Sequence, residues 1–288
     1  MDNQILQNYK RDLALRGYSP RTQETYYRNI LYFFDYCKEP PEVVTKDTIK
    51  NYLYHLIKNR NLSESSLRQA RSAICYFFSQ TMGRDVEVEN IPVQKKKRKL
   101  PEVFTPEEVF RIIHSTDNLK HKTILMLTYA SGLRVGELVN LKAGDISRES
   151  MRLKVRDAKG GKDRYTLLSE ICLKQLEIYW KTYRPHNWLF YGQKRDSPIS
   201  IRAVQHAYQK AKNAAGIKKE CGIHTLRHSF ATHMLETGSG IFQLQKFLGH
   251  RHLKTTLVYV HLSEEKTIAR SPLDVYADRF KNELQYNG

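Results

Sequence analysis

The segment Ala130–Leu138 reads ASGLRVGEL and joins the end of one predicted helix to the start of the next. An apolar helix is predicted over about residues 120–129, the Ser131-Gly132 pair predicts a turn, and Arg134 begins the following helix. Arg134 and Glu137 lie three residues apart, so their side chains share one helix face. As a plain surface ion pair they would contribute only about 0.3 kcal/mol.

The next segment, residues 151–168, interrupts the helical pattern and predicts a β-hairpin. Apolar and basic residues alternate before a Gly160-Gly161 turn, and Lys159 lies at the tip. The apolar positions are Met151, Leu153 and Val155 before the turn and Tyr165, Leu167 and Leu168 after it. The rest of the chain, to about Phe280, is predicted to be mostly helical. The fold class is therefore mainly α with a small antiparallel sheet.

Toward the N-terminus, residues 1–90 are predicted to form a separate domain of four helices. The N-capping residues Ser19, Thr45 and either Ser63 or Ser65 precede segments with helical spacing of apolar residues. A linker over residues 91–104 carries the run Lys95, Lys96, Lys97, Arg98 and Lys99. The second domain, residues 105–288, opens with the capping box Thr105-Pro106-Glu107-Glu108.

The charge balance is strongly basic, with 48 Lys and Arg against 30 Asp and Glu and a net charge of +18. Such an excess favours a polyanionic partner, and DNA is the commonest large one. The basic linker is a solvated connection that we also expect to follow DNA phosphates. Four cysteines without a CxxC pair predict reduced thiols of a cytosolic protein rather than a disulfide framework or a zinc site. Neither a membrane span nor a signal peptide is visible in the sequence.

The C-terminal half contains the residue types of an acid–base and phosphate-binding site. His224 and Arg227 lie three apart on a predicted helix, His250 follows an apolar helix, and Tyr259 comes nine residues later. Taken singly, each has an ordinary interpretation: a lone histidine is usually a core residue, and Tyr259 is one of 18 tyrosines. His224 and His228 could share a zinc ion with His233, but no glutamate follows His224 as in the metalloprotease motif.

The joint order of these segments resembles the tyrosine recombinases, the phage integrase family, and within it the Xer-type and integron-type branches. The matching segments are Ala130–Leu138, Lys159–Lys162, His224–Thr232, Leu248–His250 and Thr255–His261. Arg16–Thr22 resembles the opening of the family's N-terminal core-binding domain, and Arg270–Asp274 is similar to integron integrases. The resemblance thus extends over nearly the whole chain, and no catalytic position departs from the family's pattern.

This resemblance implies a two-domain C-shaped clamp, formed by a SAM-like core-binding domain and a catalytic domain. It also implies site-specific recombination of DNA through a 3′-phosphotyrosine intermediate and a Holliday junction. Tyr259 would be the nucleophile, Arg134 and Arg227 would hold the phosphate, and Lys159 would protonate the leaving oxygen. His224 would accept the proton, and His250 would donate a hydrogen bond to the phosphate. Glu137 would orient the arginines. No cofactor, neither metal nor ATP, is required by this chemistry.

The implied partner is double-stranded DNA with inverted-repeat recombination sites, bound by a homotetramer that spans two such sites. A monomer is one alternative for the free protein, whose oligomeric state the sequence leaves open. Base contacts are predicted for Arg68 and Arg71 in the first domain and for Arg202 and Gln205 in the second. The segment after His261, through Ile268 to Phe280, is predicted to dock onto a neighbouring protomer. We expect a cytoplasmic, nucleoid-associated protein without a membrane partner.

Two alternative functions use the same residues. A type IB topoisomerase would cut and reseal one strand without exchange, although the compact helical N-terminal domain favours a recombinase. A DNA-binding protein that has kept the fold without catalysis is the alternative from another class. The complete set of predicted catalytic residues, from Arg134 to Tyr259, argues against it. The DNA target and the biological task are left open by the sequence.

Overall fold

The computed structural model describes residues 2–84, 100–158 and 162–263, and the chain divides into two compact units between Arg98 and Lys99. The predicted basic linker residues Lys95 to Lys99 lie outside the described residues. So do Lys159, the residue predicted at the hairpin tip, and all of the predicted docking segment beyond Ser263. Each unit has its own hydrophobic core.

The first unit consists of four helices followed by a π-helical turn, Phe77–Thr81. The helices are α1 (Asn3–Leu15), α2 (Pro20–Cys37), α3 (Lys46–Lys58) and α4 (Glu64–Tyr76). Ser19, Thr45 and Ser63 accept hydrogen bonds from backbone N–H groups in the first turns of α2, α3 and α4, as capping residues do. Its core is rich in edge-to-face aromatic pairs among Tyr9, Phe33, Phe34, Phe77 and Phe78.

The second unit combines a small three-stranded sheet with helices. Its helices are α5 (Pro106–His114), α6 (Leu119–Ser131), α7 (Val135–Val139), α8 (Glu170–Tyr183), α9 (Ile201–Ala214), α10 (His224–Glu236), α11 (Ile241–Leu248) and α12 (Leu253–Val260). Thr105 and Glu108 form the predicted capping box of α5. No helix within the described ranges is both long and apolar enough to cross a membrane. The predicted class, mainly α with a small antiparallel sheet, is confirmed.

The sheet contains the predicted hairpin, formed by β2 (Arg152–Ala158) and β3 (Lys162–Leu167). A two-residue strand, β1 (Ile146–Ser147), pairs antiparallel with the other edge of β2. Leu153 and Val155 are buried as the alternation predicts, but on β3 the buried residues are Arg164 and Thr166, whereas Tyr165 is 54% exposed. Arg164 therefore points inward on this strand, whereas Tyr165, which was counted among its apolar positions, points outward.

Gly132 allows close packing where α6 ends. It is the C-cap of α6 with a left-handed φ of 60°. A Cβ atom at this position would overlap the ring of Phe230 on α10 and would lie 3.2 Å from Leu248 on α11. Only glycine combines this backbone conformation with so short an approach. The turn between α6 and α7 is thus held directly against α10 and α11.

We expect Gly132→Ala to lower the free energy of unfolding of the second unit by roughly 2–4 kcal/mol, because left-handed strain adds to overpacking. Gly136→Ala is the matched control, since a Cβ atom on Gly136 would have nothing within 4 Å and its φ is not left-handed. Denaturant unfolding monitored by circular dichroism measures both. Equal midpoints for the two variants would contradict this explanation of Gly132.

Candidate active site

The second unit brings together five of the six predicted catalytic residues, and the sixth, Lys159, lies outside the described residues. The five come from separate elements: Arg134 precedes α7, His224 and Arg227 lie on α10, His250 follows α11, and Tyr259 lies on α12. Glu137 on α7, which was predicted to orient the arginines, is in the same cluster. Segments far apart in sequence therefore converge on one positively charged site.

A single carboxylate, that of Glu137, contacts three guanidinium groups. Its oxygens lie 2.8 Å from Arg134, 2.7 Å from Arg164 and 3.6 Å from Arg227. The side chain of Glu137 is only 9% exposed, so these contacts are mostly shielded from water. The interpretation of Arg134 and Glu137 as a plain surface pair is therefore wrong. One negative charge faces three positive ones, which leaves an excess of positive charge at the site.

Arg164 belongs to this cluster although no motif in the sequence points to it. Both of its terminal nitrogens donate to the two oxygens of Glu137, at 2.7 and 2.8 Å, which is the bidentate geometry of a strong charge-assisted pair. Its Nε donates to the carbonyl of Phe247 at 2.9 Å. Arg164 thereby ties the hairpin, α7 and the end of α11 together.

The protonation of Glu137 is set by these arginines. Burial alone would raise the pKa of this carboxyl group. The hydrogen bonds and charge of Arg164, the backbone N–H of Arg134 and the charge of Arg227 outweigh burial and lower the pKa of Glu137 to about 2. The residue is a carboxylate at any physiological pH.

Arg227 occupies the centre of the cluster and is 4% exposed. Its guanidinium donates to the carbonyl of Gly132 at 2.6 Å and to the carbonyl of Leu248 at 2.7 Å. These carbonyls belong to the C-terminal ends of α6 and α11, where helix dipoles favour positive charge. Burial and the neighbouring Arg134 lower the pKa of Arg227 to about 9, so it remains a cation at neutral pH.

His250 has both ring nitrogens engaged within the site. Arg227 donates to Nε2 at 3.2 Å, and Nδ1 lies 3.0 Å from Oγ1 of Thr256. Because an arginine can only donate, Nε2 is the acceptor and the ring proton lies on Nδ1. Burial and the positive charges of Arg227, Arg134 and Arg164 lower the pKa of His250 to about 3, so the ring is neutral.

Tyr259 is 4% exposed and packs near two histidine rings, those of His228 and His250. The ring of His250 is nearly parallel to it at 6.3 Å between centroids, and Nδ1 of His228 lies 2.9 Å from its hydroxyl. Burial raises the pKa of Tyr259, while Arg227 and Arg134 oppose that rise. The phenol is therefore neutral at physiological pH and requires activation to act as a nucleophile.

The three histidines weighed as zinc ligands have different surroundings. His224 begins α10 at an exposed position, and partial burial of its ring together with the charges of Arg227 and Arg134 lowers its pKa. His228 contacts Tyr259, whereas Nδ1 of His233 lies 2.8 Å from the hydroxyl of Tyr129. His228 and His233 thus direct Nδ1 to two different tyrosines.

The residues predicted to contact bases lie in separate places. Arg202 and Gln205 are exposed near the start of α9. Arg68 is exposed on α4 and forms an ion pair with Glu64 one turn earlier. Arg71 borders a groove of the first unit together with Arg16. Their contact with DNA stays a prediction.

Comparison with known protein families gives two matches that together cover most of the chain. Residues 102–266 match the phage integrase family, and residues 5–88 match the N-terminal SAM-like domain of phage integrases. The first match contains the whole of the site described above, and the second covers nearly all of the four-helix unit.

Individual relatives give the same result. The putative integrase/recombinase y4qK of Sinorhizobium fredii is 38% identical over 93% of this chain and 87% of its own length. Tyrosine recombinase XerA of Pyrococcus horikoshii is 36% identical over 91% of this chain and 90% of its own. The crystal structure of a lambda integrase tetramer bound to a Holliday junction has the same fold, with a TM-score of 0.74 and 20% identity over 93% of this chain and 78% of that one.

We expect Glu137→Gln to lower the free energy of unfolding at pH 7 by roughly 3–5 kcal/mol, because buried guanidinium groups lose their counter-charge. The ionised carboxyl accounts for about 3 kcal/mol of this, since its pKa is lowered from 4.5 to about 2. That contribution is complete above pH 4.5 and is lost as the pH falls toward 2. Denaturant unfolding should show that the difference in free energy of unfolding between wild type and variant becomes smaller as the pH falls from about 7 to 3. A difference in free energy of unfolding that does not change with pH would contradict this role of the ionised Glu137.

The range matched by the phage integrase family, residues 102–266, contains every residue of the site described above. The family match spans more than half of the chain, and the two relatives exceed 35% identity over nine-tenths of it. The chain belongs to the phage integrase family, the tyrosine recombinases.

Proposed function

We propose that this enzyme, a site-specific DNA recombinase, cuts and rejoins DNA through a covalent bond between Tyr259 and a 3′-phosphate. The observation that carries the proposal is the position of Tyr259, buried beside His250 and under the electrostatic influence of Arg227 and Arg134. A lone tyrosine hydroxyl next to an excess of positive charge suits attack on a phosphodiester.

The arginines would stabilise the transition state. Phosphoryl transfer adds negative charge to the equatorial oxygens of phosphorus, and preorganised cations there lower the barrier. The side chain of Arg134 is 28% exposed, against 5% for Arg227, so Arg134 is the more accessible of the two. We propose that Arg134 contacts the phosphate first and that the more deeply buried Arg227 adds positive charge behind it. Glu137 would hold both in place.

The hydroxyl of Tyr259 must lose its proton during attack. His224 is our proposed acceptor: partial burial, together with the charges of Arg227 and Arg134, lowers its pKa and keeps it unprotonated near neutral pH. The negative charge of bound DNA would offset part of the positive field and make the ring more basic. His250 would donate a hydrogen bond to the phosphate after its ring proton moves to Nε2, which now faces Arg227.

The leaving 5′-oxygen needs a proton, and Lys159 at the hairpin tip is the proposed donor. The phosphotyrosine bond keeps the energy of the broken phosphodiester, so a 5′-hydroxyl from a partner strand can reverse the step. Neither ATP nor a metal ion is needed for this exchange. Repeating it on the second strand pair would resolve a Holliday junction.

We further propose that four protomers act on two inverted-repeat DNA sites. The lambda integrase relative was solved as a tetramer on a Holliday junction, and its fold matches this chain. Arg202 and Gln205 are exposed and Arg68 lies on the surface of the first unit, so these side chains are accessible to DNA. The net charge of +18 supports strong, salt-sensitive binding to phosphates.

Replacing the nucleophile is the direct test. We expect Tyr259→Phe to abolish covalent attachment to a nicked suicide duplex while leaving DNA binding intact, because only the hydroxyl oxygen is removed. The duplex would carry an inverted repeat selected by the protein from random DNA, and denaturing gels would detect the adduct. Tyr165→Phe is the matched control, because Tyr165 is 54% exposed.

Two outcomes would overturn the proposal. Covalent attachment that persists in Tyr259→Phe would place the nucleophile elsewhere. Binding without any adduct in the wild type would favour a DNA-binding protein without catalysis. DNA substrates with two recombination sites distinguish a recombinase from a topoisomerase, since a topoisomerase would relax supercoils and give no recombinant products.

We expect Arg227→Lys to reduce the rate of adduct formation by about 10²–10³, because an ammonium group cannot reproduce the planar fork of donors. Lysine keeps the charge but cannot contact the carbonyls of Gly132 and Leu248 and His250 at once. Arg148→Lys is the control, since that arginine is 77% exposed in a surface ion pair with Glu177. Single-turnover kinetics with a melting curve for each variant measure the effect, and an unchanged rate would argue against the role of Arg227.

A further inference from the structure

His228 is a partly buried titratable residue that the reaction outlined above does not use. It lies on α10 one turn after His224 and faces α12. Its Nδ1 atom is 2.9 Å from the hydroxyl oxygen of Tyr259, with 5.7 Å between the two ring centroids. Within the described ranges, this is the hydrogen bond that the hydroxyl of Tyr259 makes.

The direction of this hydrogen bond follows from the two protonation states. Burial, together with the neighbouring His224 and Arg227, lowers the pKa of His228 to about 4, so its ring is neutral at physiological pH. Burial raises the pKa of Tyr259, so the phenol keeps its proton. The hydroxyl therefore donates to Nδ1, and the ring proton of His228 lies on Nε2.

The other histidine beside Tyr259 does not compete for its hydroxyl. Both nitrogens of His250 are engaged, one with Arg227 and the other with Thr256. His250 stacks nearly parallel to the tyrosine ring, at an interplanar angle of 12°. The ring of Tyr259 is thus confined by His250, and its oxygen is fixed by His228.

We propose that His228 is a positioning residue, a neutral hydrogen-bond acceptor that holds the Tyr259 oxygen ready for attack on phosphorus. The proposal rests on the function inferred above, in which Tyr259 is the nucleophile. It adds a residue that contacts neither the phosphate nor the leaving group. His228 acts only through the orientation of the tyrosine hydroxyl.

The difference in pKa between His228 and Tyr259 decides whether His228 only accepts a hydrogen bond or also takes up the proton. A group with a pKa of about 4 is a poor acceptor for a phenol proton. Since burial also raises the pKa of the Tyr259 phenol, full transfer of its proton to His228 is strongly disfavoured. Orienting the nucleophile raises the rate by itself, because displacement of a reacting atom by about 1 Å can lower the rate about 100-fold.

Three substitutions at position 228 separate these roles. His228→Asn places an amide oxygen near the position of Nδ1 and keeps an acceptor that cannot take up a proton near neutral pH. His228→Gln carries its amide farther out, and His228→Ala removes the acceptor. His233→Ala is the matched control, because His233 lies on the same helix and contacts the hydroxyl of Tyr129 at 2.8 Å, not that of Tyr259.

We expect His228→Ala to slow single-turnover adduct formation on the nicked duplex by roughly 10–100-fold, with unchanged DNA affinity. His228→Asn should recover most of that loss, His228→Gln should not, and His233→Ala should match the wild type. Melting curves check that each variant is folded. If His228→Ala does not fold, the comparison of Asn with Gln carries the test.

The proposal is overturned if His228→Ala cleaves at the wild-type rate. It is also overturned if His228→Asn is as slow as His228→Gln while both are folded, since the imidazole would then be required for more than accepting a hydrogen bond. These results presuppose a wild type that forms the adduct. A wild type without any adduct would instead refute the nucleophilic role of Tyr259, so the two failures are distinguishable.

Discussion

The contact of one buried carboxylate, Glu137, with the guanidinium groups of Arg134, Arg164 and Arg227 is the constraint on which the second unit depends. Like charges this close repel each other, and an arginine inside a protein requires a counter-charge. Glu137 supplies that counter-charge without neutralising all three. The same arrangement therefore stabilises the fold and leaves the positive field that a phosphate group requires.

The arginines also connect elements that are distant in sequence. Arg227 joins α10 to the ends of α6 and α11, and Arg164 joins β3 to α7 and to the carbonyl of Phe247. Gly132 permits this because its missing side chain lets the α6–α7 turn approach Phe230. Packing at that turn fixes the carbonyl to which Arg227 donates. The positions of the reacting groups thus follow from ordinary helix ends and hydrogen bonds.

The features that depend on local chemistry could be predicted from the sequence. The caps at Ser19, Thr45 and Thr105 and the alternation of Leu153 and Val155 are confirmed, because capping and strand periodicity involve near neighbours. The burial of Arg164 was not predictable from its strand, since its partner is a carboxylate on another element. His228 was weighed only as a metal ligand, because its tyrosine partner lies 31 residues away. Side chains whose partners are remote carry no local signal.

The buried bonds of Arg227 have an evolutionary consequence. Because its donors are shared between structure and chemistry, a chain that drifts away from strand exchange still uses this arginine for the hydrogen bonds that join α10 to the ends of α6 and α11. The hydroxyl of Tyr259, in contrast, carries little of the packing and can disappear at small structural expense. Copies in which selection keeps the fold but not the reaction should therefore keep their arginines after the nucleophile has gone, and an intact arginine cluster alone is a poor guide to whether a copy is still active.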